Sequence, residues 1–201
     1  MPGKIFIVDD EPAVLTALDR MLRASGYEVS TFNSPSAFLN LAPTDGVGCV
    51  LLDLSMPEMS GLDVQDAMRH KGIAMPIIFL SAYGDVPSTA RAMREGAIDF
   101  LVKPIAEEQL LAAIRRALDA ATAQEQRRIS RTEVEERLSR LTPRERQVCD
   151  LVVRGLLNKQ IGAELGMSEK TVKVHRGRVM HKLEVHSVAA LVRLLAGRPD
   201  D

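Results

Sequence analysis

Four short stretches carry side chains able to act together on a phosphoryl group. Asp9-Asp10-Glu11 closes the apolar run 4–8, and Asp53 closes the apolar run 49–52 just ahead of Leu54-Ser55-Met56-Pro57. Ser81 ends a third apolar run, and Lys103-Pro104 ends a fourth. Three carboxylates drawn to one place cannot all stay ionised without a counter-charge. A hard dication with oxygen ligands answers this: Mg²⁺, with Mn²⁺ as the alternative, which keeps several waters and accepts a phosphate. A fixed ammonium at Lys103 can pair with Asp53 and then with phosphoryl oxygens, while the Ser81 hydroxyl holds another. The chemistry that suits these parts is phosphoryl transfer onto Asp53, giving an aspartyl phosphate. Taken singly, each residue has a plainer role as helix cap, turn residue or solvated lysine. Asp9, Asp10, Asp53, Ser81 and Lys103 at the ends of four strands of one sheet outweigh that.

The elements that must position these residues follow from periodicity. Runs 4–8, 49–52 and 76–81 are apolar on both faces, as central strands of a parallel sheet are. With 27–32 and 99–102 they make five strands. Helices alternate with them: one opened by Pro12 and stopped by Gly26, then 35–41, 61–70, 88–95 and one from Glu107 onward. Five such repeats predict an α/β doubly wound five-stranded parallel sheet, for which the order 2-1-3-4-5 is usual. That order makes strands one and three neighbours, brings Asp9, Asp10 and Asp53 to one edge, and places Ser81 and Lys103 at the same edge. Pro104 allows a cis bond that aims the lysine inward.

Composition changes after Leu118. Residues 121–140 are rich in Ala, Glu, Gln and Arg, without Gly or Pro, and only Ile129, Val134 and Leu138 are sparse apolar positions. This predicts a solvated helical linker running on from the fifth helix, with no sustained heptad for a coiled coil. From Thr142-Pro143-Arg144-Glu145, a capping box, an all-α four-helix domain occupies 141–201. Its second and third helices, joined by the turn at Gly166-Met167-Ser168, form a helix-turn-helix. The expected domains are thus 1–120, the linker 121–140, and 141–201.

Charge supports the division. Residues 1–120 hold 10 Lys and Arg against 16 Asp and Glu, whereas 142–201 hold 11 against 7. An acidic front and a basic tail suit a nucleic-acid partner for the second domain. Met1 leads almost directly into a strand, leaving no room for a signal peptide, and no apolar run approaches a membrane span, so a cytoplasmic protein without membrane contact is expected. Cys49 and Cys149 sit in apolar runs without metal-like spacing and read as buried free thiols.

Residues 1–120 resemble a two-component receiver domain through Asp9-Asp10, the stretch from Leu52 to Gly61, Ser81-Ala82 and Lys103-Pro104. The resemblance implies that Asp53 accepts phosphate from a sensor histidine kinase. It implies that Asp10, Asp53 and the Ser55 backbone carbonyl ligate Mg²⁺, with Asp9 acting through water. It also implies that Ser81 and Phe100 form a switch pair, although this family often has Thr at the Ser81 position. Residues 142–195 are similar to the DNA-binding domain of FixJ/NarL/LuxR-type regulators, through 141–145, 158–162 and 168–175, and suggest the FixJ-like branch. Together they imply a transcriptional regulator that phosphorylation drives to homodimerise through its fourth-helix and fifth-strand face. The partners implied are promoter DNA and RNA polymerase, and the only catalysis is on its own phosphoryl group.

On the third helix of the tail, Lys170, Thr171, Lys173 and Val174 are expected to face the major groove. Arg176, Arg178 and Lys182 are phosphate candidates, whereas Val172, Val179 and Leu183 read as core. Gly177 costs this helix about 1 kcal/mol relative to Ala, which suggests close approach by DNA or another helix. His175 fits either a phosphate contact or packing. Two other classes compete. An aspartyl-phosphate phosphatase or phosphotransferase typically has a second Asp two residues after the nucleophile, where this chain has Ser55. A phosphorylation-independent interaction module leaves the metal and lysine set unexplained.

Overall fold

A strand apolar on both faces can bury itself only between two layers of helices, and that is the arrangement of the front half. The structure, a computed structural model, describes residues 3–42, 46–82 and 86–195. Strands β1 (Lys4–Val8), β2 (Glu28–Phe32), β3 (Gly48–Asp53), β4 (Ile77–Ser81) and β5 (Asp99–Val102) alternate with helices α1 (Pro12–Ala24), α2 (Pro35–Leu41), α3 (Gly61–His70), α4 (Val86–Arg94) and α5 (Glu107–Ser139). All pair in parallel in the order β2-β1-β3-β4-β5, as expected. Helix α4 begins at Val86, two residues before the expected start, because Pro87 suits a first helical turn.

Alternation along the strands sorts the side chains into two cores. Phe6, Val8, Val50, Leu52 and Phe79 face one layer, where Phe38 of α2 and Leu62, Val64 and Met68 of α3 cover them. Ile5, Ile7, Cys49, Leu51, Ile78 and Leu80 face the other, against Leu15 and Leu22 of α1 and Leu110, Ile114 and Ala117 of α5. Both cysteines are buried and outside any disulfide, as their sequence context predicts, and burial pushes the Cys49 thiol up to about 12. The register sets Val8 beside Leu52, Asp53 beside Leu80, and Ser81 beside Val102. The residues at and just beyond these strand ends therefore share the carboxyl edge of the sheet.

Helix α5 runs without interruption through the expected linker, and the chain divides into two compact units, Met1–Gln126 and Arg127–Asp201, with this helix contributing to both. Between the two cores its side chains are mostly exposed, Ile129 among them. Leu138 is buried and Val134 partly so in the core of the second unit. That unit contains α6 (Pro143–Val153), α7 (Asn158–Leu165), α8 (Glu169–Lys182) and α9 (Val188–Leu195). Residues 196–201 of the expected DNA-binding domain lie outside the described residues.

Its turns follow from local chemistry. The Thr142 hydroxyl accepts from the Glu145 N–H at 3.3 Å, and the Glu145 carboxylate accepts from the Thr142 N–H at 2.9 Å, completing the capping box. The α7–α8 turn needs two glycines. Gly166 ends α7 at φ 65°, and a Cβ on Gly162 would stand 2.6 Å from the Met167 carbonyl oxygen. Ser168 then caps α8 by accepting the Thr171 N–H at 3.1 Å.

Candidate functional site

At the carboxyl edge of the sheet, Lys103 gathers two of the three acids. Its Nζ donates to Asp9 Oδ2 at 2.8 Å and to Asp53 Oδ1 at 2.7 Å. Asp9 is fully buried and Asp53 is 6% exposed. The remaining oxygens are held by the turns that follow the strands: the Glu11 N–H donates to Asp9 Oδ1 at 2.9 Å, and the Ser55 N–H to Asp53 Oδ2 at 2.7 Å. Lys103 reaches them from just past β5, where its N–H donates to the Ser81 carbonyl at 2.8 Å and its bond to Pro104 is cis.

One ammonium faces two buried carboxylates, and burial is the first influence on the ionisation of Asp53 and Lys103. Burial raises the Asp53 pKa above the ordinary carboxylate range, against the lowering effect of Lys103 and the Ser55 N–H. Burial opposes the charge on Lys103 too, but its bonds to Asp53 and Asp9 prevail and hold its pKa above the usual lysine value.

Asp10 does not join this pair. It is half-buried, and its carboxylate has no hydrogen-bond or ion-pair partner among the described residues. Nor, among the described residues, do three His, Cys, Asp or Glu side chains group closely enough to hold a metal ion. The three acids expected at one edge are thus not joined in one hydrogen-bonded group, since Lys103 bonds Asp9 and Asp53. Lys103 occupies one oxygen of Asp9 and one of Asp53. The donor set still fits a hard cation in kind. Asp53 and the Ser55 carbonyl are oxygen donors, and Asp10 is an unengaged third.

Ser81 is buried at the end of β4. Phe100 is half-buried, its ring centroid 6.3 Å from that of Phe79 and packed on the core between sheet and α4. Gly61 is a residue whose part sequence reasoning did not see. A Cβ there would collide with the Asp53 backbone carbonyl and lie 3.0 Å from the Phe79 ring, so only glycine lets α3 start against the end of β3. Its place in the motif after Asp53 was the available signal.

In the second unit, Lys170, Thr171, Lys173, Val174 and Arg178 are exposed on α8, while Val172, Val179 and Leu183 are buried in the core. Thr171 shares a 2.8 Å hydrogen bond between its hydroxyl and that of Ser168, so part of its bonding capacity goes to the cap. Arg176 is half-buried and donates to the Asn158 side-chain oxygen at 2.8 Å. With Lys159, Glu169, Lys173 and the exposed Leu157 these residues line a depression of about 570 Å³ between the start of α7 and α8. Asn158 and Lys159 were legible only as part of a family motif.

Lys182 points to a different partner. Its Nζ donates to Glu145 Oε2 at 2.6 Å and to the Arg140 carbonyl at 3.0 Å. Its charge is thus spent within the fold, which corrects its reading as a phosphate contact. Lys182 and the Thr142 N–H together pull the pKa of Glu145 down to about 2. Gly177 has open space where a Cβ would stand, so no helix among the described residues accounts for it. His175 Nδ1 is buried without a hydrogen-bond partner among the described residues.

Residues 5–115 match the family model for the response regulator receiver domain, and residues 139–195 match that for bacterial regulatory proteins of the luxR family. The chain belongs to the response regulators with a luxR-type DNA-binding domain. The response regulator protein TodT of Pseudomonas putida F1 is 47% identical over 94% of this chain and 84% of its own length. Full-length FixJ from B. japonicum is 35% identical, covering 97% of this chain and 96% of its own, with a TM-score of 0.60. The response regulator StyR, in a low-resolution structure, is 44% identical over 98% of this chain and all of its own, with a TM-score of 0.85. The regulator is FixJ-like, a DNA-binding transcription regulator in a family whose members are mainly not enzymes. Its receiver half implies a histidine kinase partner and its luxR-type half implies DNA. Receiver domains generally bind Mg²⁺ for phosphorylation. Among the described residues no helix is long and apolar enough to cross a membrane.

Proposed function

We propose that Asp53 is the phosphoacceptor of a cytoplasmic regulator whose phosphorylation promotes receiver dimerisation and promoter binding. The observation that carries this reading is the shared lysine, with Lys103 bonded at once to Asp9 and Asp53 at the carboxyl edge of the sheet. An Asp53 carboxylate oxygen attacks the phosphorus of a phosphohistidine on the sensor kinase. The P–N bond breaks as the acyl phosphate forms, and the histidine leaves with the electron pair. Lys103 orients the attacking carboxylate and then meets the new phosphoryl oxygens. Asp10, Asp53 and the Ser55 carbonyl would hold Mg²⁺ or Mn²⁺, with Asp9 acting through water. The ion supplies neutralisation of the charge that builds up during transfer.

The Ser81 hydroxyl then engages the phosphoryl group and the Phe100 ring turns inward, altering the face formed by α4 and β5. Exposed apolar side chains on those elements, Val86, Met93 and Val102, suit pairing of two receivers there. A paired receiver brings two α8 helices to two half-sites of a duplex. Lys170, Thr171, Lys173 and Val174 meet the groove, Arg176 and Arg178 meet phosphates, and RNA polymerase is the downstream partner. The chemistry is confined to gain and loss of the protein's own phosphoryl group. The 1–120, 121–140 and 141–201 division then separates input, connection and output.

The test compares wild type with Asp53→Ala, treated with acetyl phosphate and Mg²⁺. Wild type should dimerise and bind its promoter more tightly, and the variant should do neither. A variant that still gains dimer and DNA affinity after acetyl phosphate overturns the mechanism.

A further inference from the structure

At the amino edge of the receiver sheet, opposite Asp53, the starts of β4 and β5, the ends of α3 and α4 and the middle of α5 surround a cavity of about 330 Å³. Ligands of open parallel sheets ordinarily sit at the other edge, so this cavity is separate from the phosphorylation chemistry. Much of its wall is apolar, including Met68, Ile73, Ile77, Ile98 and Ala120. Its volume falls at the small end of those that take small organic ligands.

Two polar residues that line it, Gln65 and Glu95, carry acceptors without donors. Gln65 is 5% exposed, and its Nε2 donates to the Glu95 backbone carbonyl at 3.2 Å. That bond fixes the amide orientation, because the flipped amide would set oxygen against oxygen. Gln65 Oε1 is consequently buried with no hydrogen-bond partner among the described residues. Glu95 repeats the pattern. Its Oε1 accepts from Arg91 Nε at 2.9 Å, while its Oε2 is buried and unpartnered. Buried acceptors left in this state are rare in folded proteins, and two on one cavity call for a donor.

We propose that this cavity binds a small organic molecule whose head presents two N–H donors, an amidinium, guanidinium or primary amide, on an apolar body. Acceptors on both polar residues exclude an anionic head. Two oxygens amid apolar walls are too few for a metal ion. The neighbouring cations are already engaged, Arg69 with Asp66 at 3.3 Å and Arg91 with both Asp66 and Glu95. Gln65 Oε1 and the second Glu95 oxygen are therefore the acceptors left for an incoming donor. Because Glu95 directly follows α4, an occupant would tie the end of that helix to α3 and act as a second input to the receiver. It shifts the receiver only as far as its affinity differs between conformations. The site itself stands whether or not α4 and β5 pair two receivers.

The test is a ¹H–¹⁵N titration of the full-length protein with three probes of one shape: benzamidine, benzamide and benzoate. Benzamidine or benzamide should shift the amides of Gln65, Ile73, Glu95 and Ile98 with a saturable, millimolar affinity, and benzoate should not. Gln65→Met should weaken that binding about tenfold or more, the equivalent of about 1.4 kcal/mol. Ala120→Phe, which fills the cavity without touching either acceptor, should abolish it while the rest of the spectrum and phosphorylation of Asp53 persist. Should Gln65→Met fail to fold, Ala120→Phe alone decides. Benzoate binding as well as benzamide, unchanged affinity in the variants, or no shifts with any probe overturns the proposal, the last meaning that water satisfies both acceptors. Phosphorylation lost in wild type would instead count against the assignment of Asp53.

Discussion

Replacing Glu145 with Gln should destabilise the DNA-binding unit in a way that depends on pH. The carboxylate is 2% exposed and accepts from Lys182 at 2.6 Å and from the Thr142 N–H at 2.9 Å. These bonds lower its pKa from 4.5 to about 2. A carboxyl depressed on folding contributes stability that is complete above its unfolded value and is lost as pH falls through the folded one. Here the window runs from 4.5 down to about 2. At neutral pH the shift corresponds to about 3 kcal/mol, the same order as a buried, charge-assisted hydrogen bond. Amide hydrogen exchange at the buried Val148, Val152, Val172 and Val179 reads the opening free energy of this unit apart from that of the receiver. Glu145→Gln should lower it by about 2–3 kcal/mol at pH 6, and the gap should narrow steadily below pH 4.5. A gap that stays constant through the window, or is absent at pH 6, would refute the account.

Three further outcomes follow from the same geometry. Because burial raises the Asp53 pKa, its contribution to stability is present below the ordinary value of 3.8 and lost as pH rises through the folded value. Asp53→Asn should accordingly raise the receiver's urea midpoint at pH 7, with the gain fading in acid; a lower midpoint at pH 7 contradicts the burial argument. Lys170→Ala or Lys173→Ala should reduce the slope of log K for DNA against log salt by about 1 each. Lys182→Met should leave that slope unchanged and destabilise the domain instead, and a drop in slope without loss of stability would return Lys182 to the phosphates. Gly61→Ala forces its new Cβ onto the Asp53 carbonyl, so it should destabilise the receiver by about 1–3 kcal/mol and slow acetyl phosphate labelling; wild-type behaviour on both counts would show that α3 yields at no cost.

The receiver was legible because its signals are local and redundant. Runs such as 49–52 are apolar on every residue, each is closed by a polar side chain, and Gly or Pro separates the elements. Strand order then brings Asp9 and Asp53 together without further information. What periodicity could not supply was which oxygens Lys103 would take, and so that Asp10 would be left out of its hydrogen bonds. Helix α8 shows the same limit. A 3.6-residue period correctly sent Val172 and Val179 inward, but it assigned Lys182 by helix face alone. The partner of Lys182, Glu145, lies 37 residues earlier and is brought alongside by the packing of α6 on α8. Gln65 and Glu95 are more hidden still: both are polar residues on amphipathic helices, and only packing reveals that each keeps a buried oxygen without a donor.

The charge balance at the carboxyl edge also explains why a buried acid can serve as a switch. Asp9 and Asp53 bring two negative charges to a place where Lys103 supplies one positive charge. The cluster is therefore under-compensated before any chemistry occurs, while burial separately raises the Asp53 pKa. On the proposed reading, Asp10 and Asp53 would hold a dication whose charge would favour the ionised form of Asp53. Phosphorylation then increases the negative charge on the Asp53 side while leaving Asp9 unchanged. On that reading Lys103 would be drawn from its division between the two acids toward the phosphoryl group. Ser81 lies on β4 next to that lysine's strand, and Phe100 lies on β5 three residues before Lys103. A redistribution of one ammonium bond consequently acts on the two strands that carry the proposed switch pair, and through β5 on the face proposed to join two receivers.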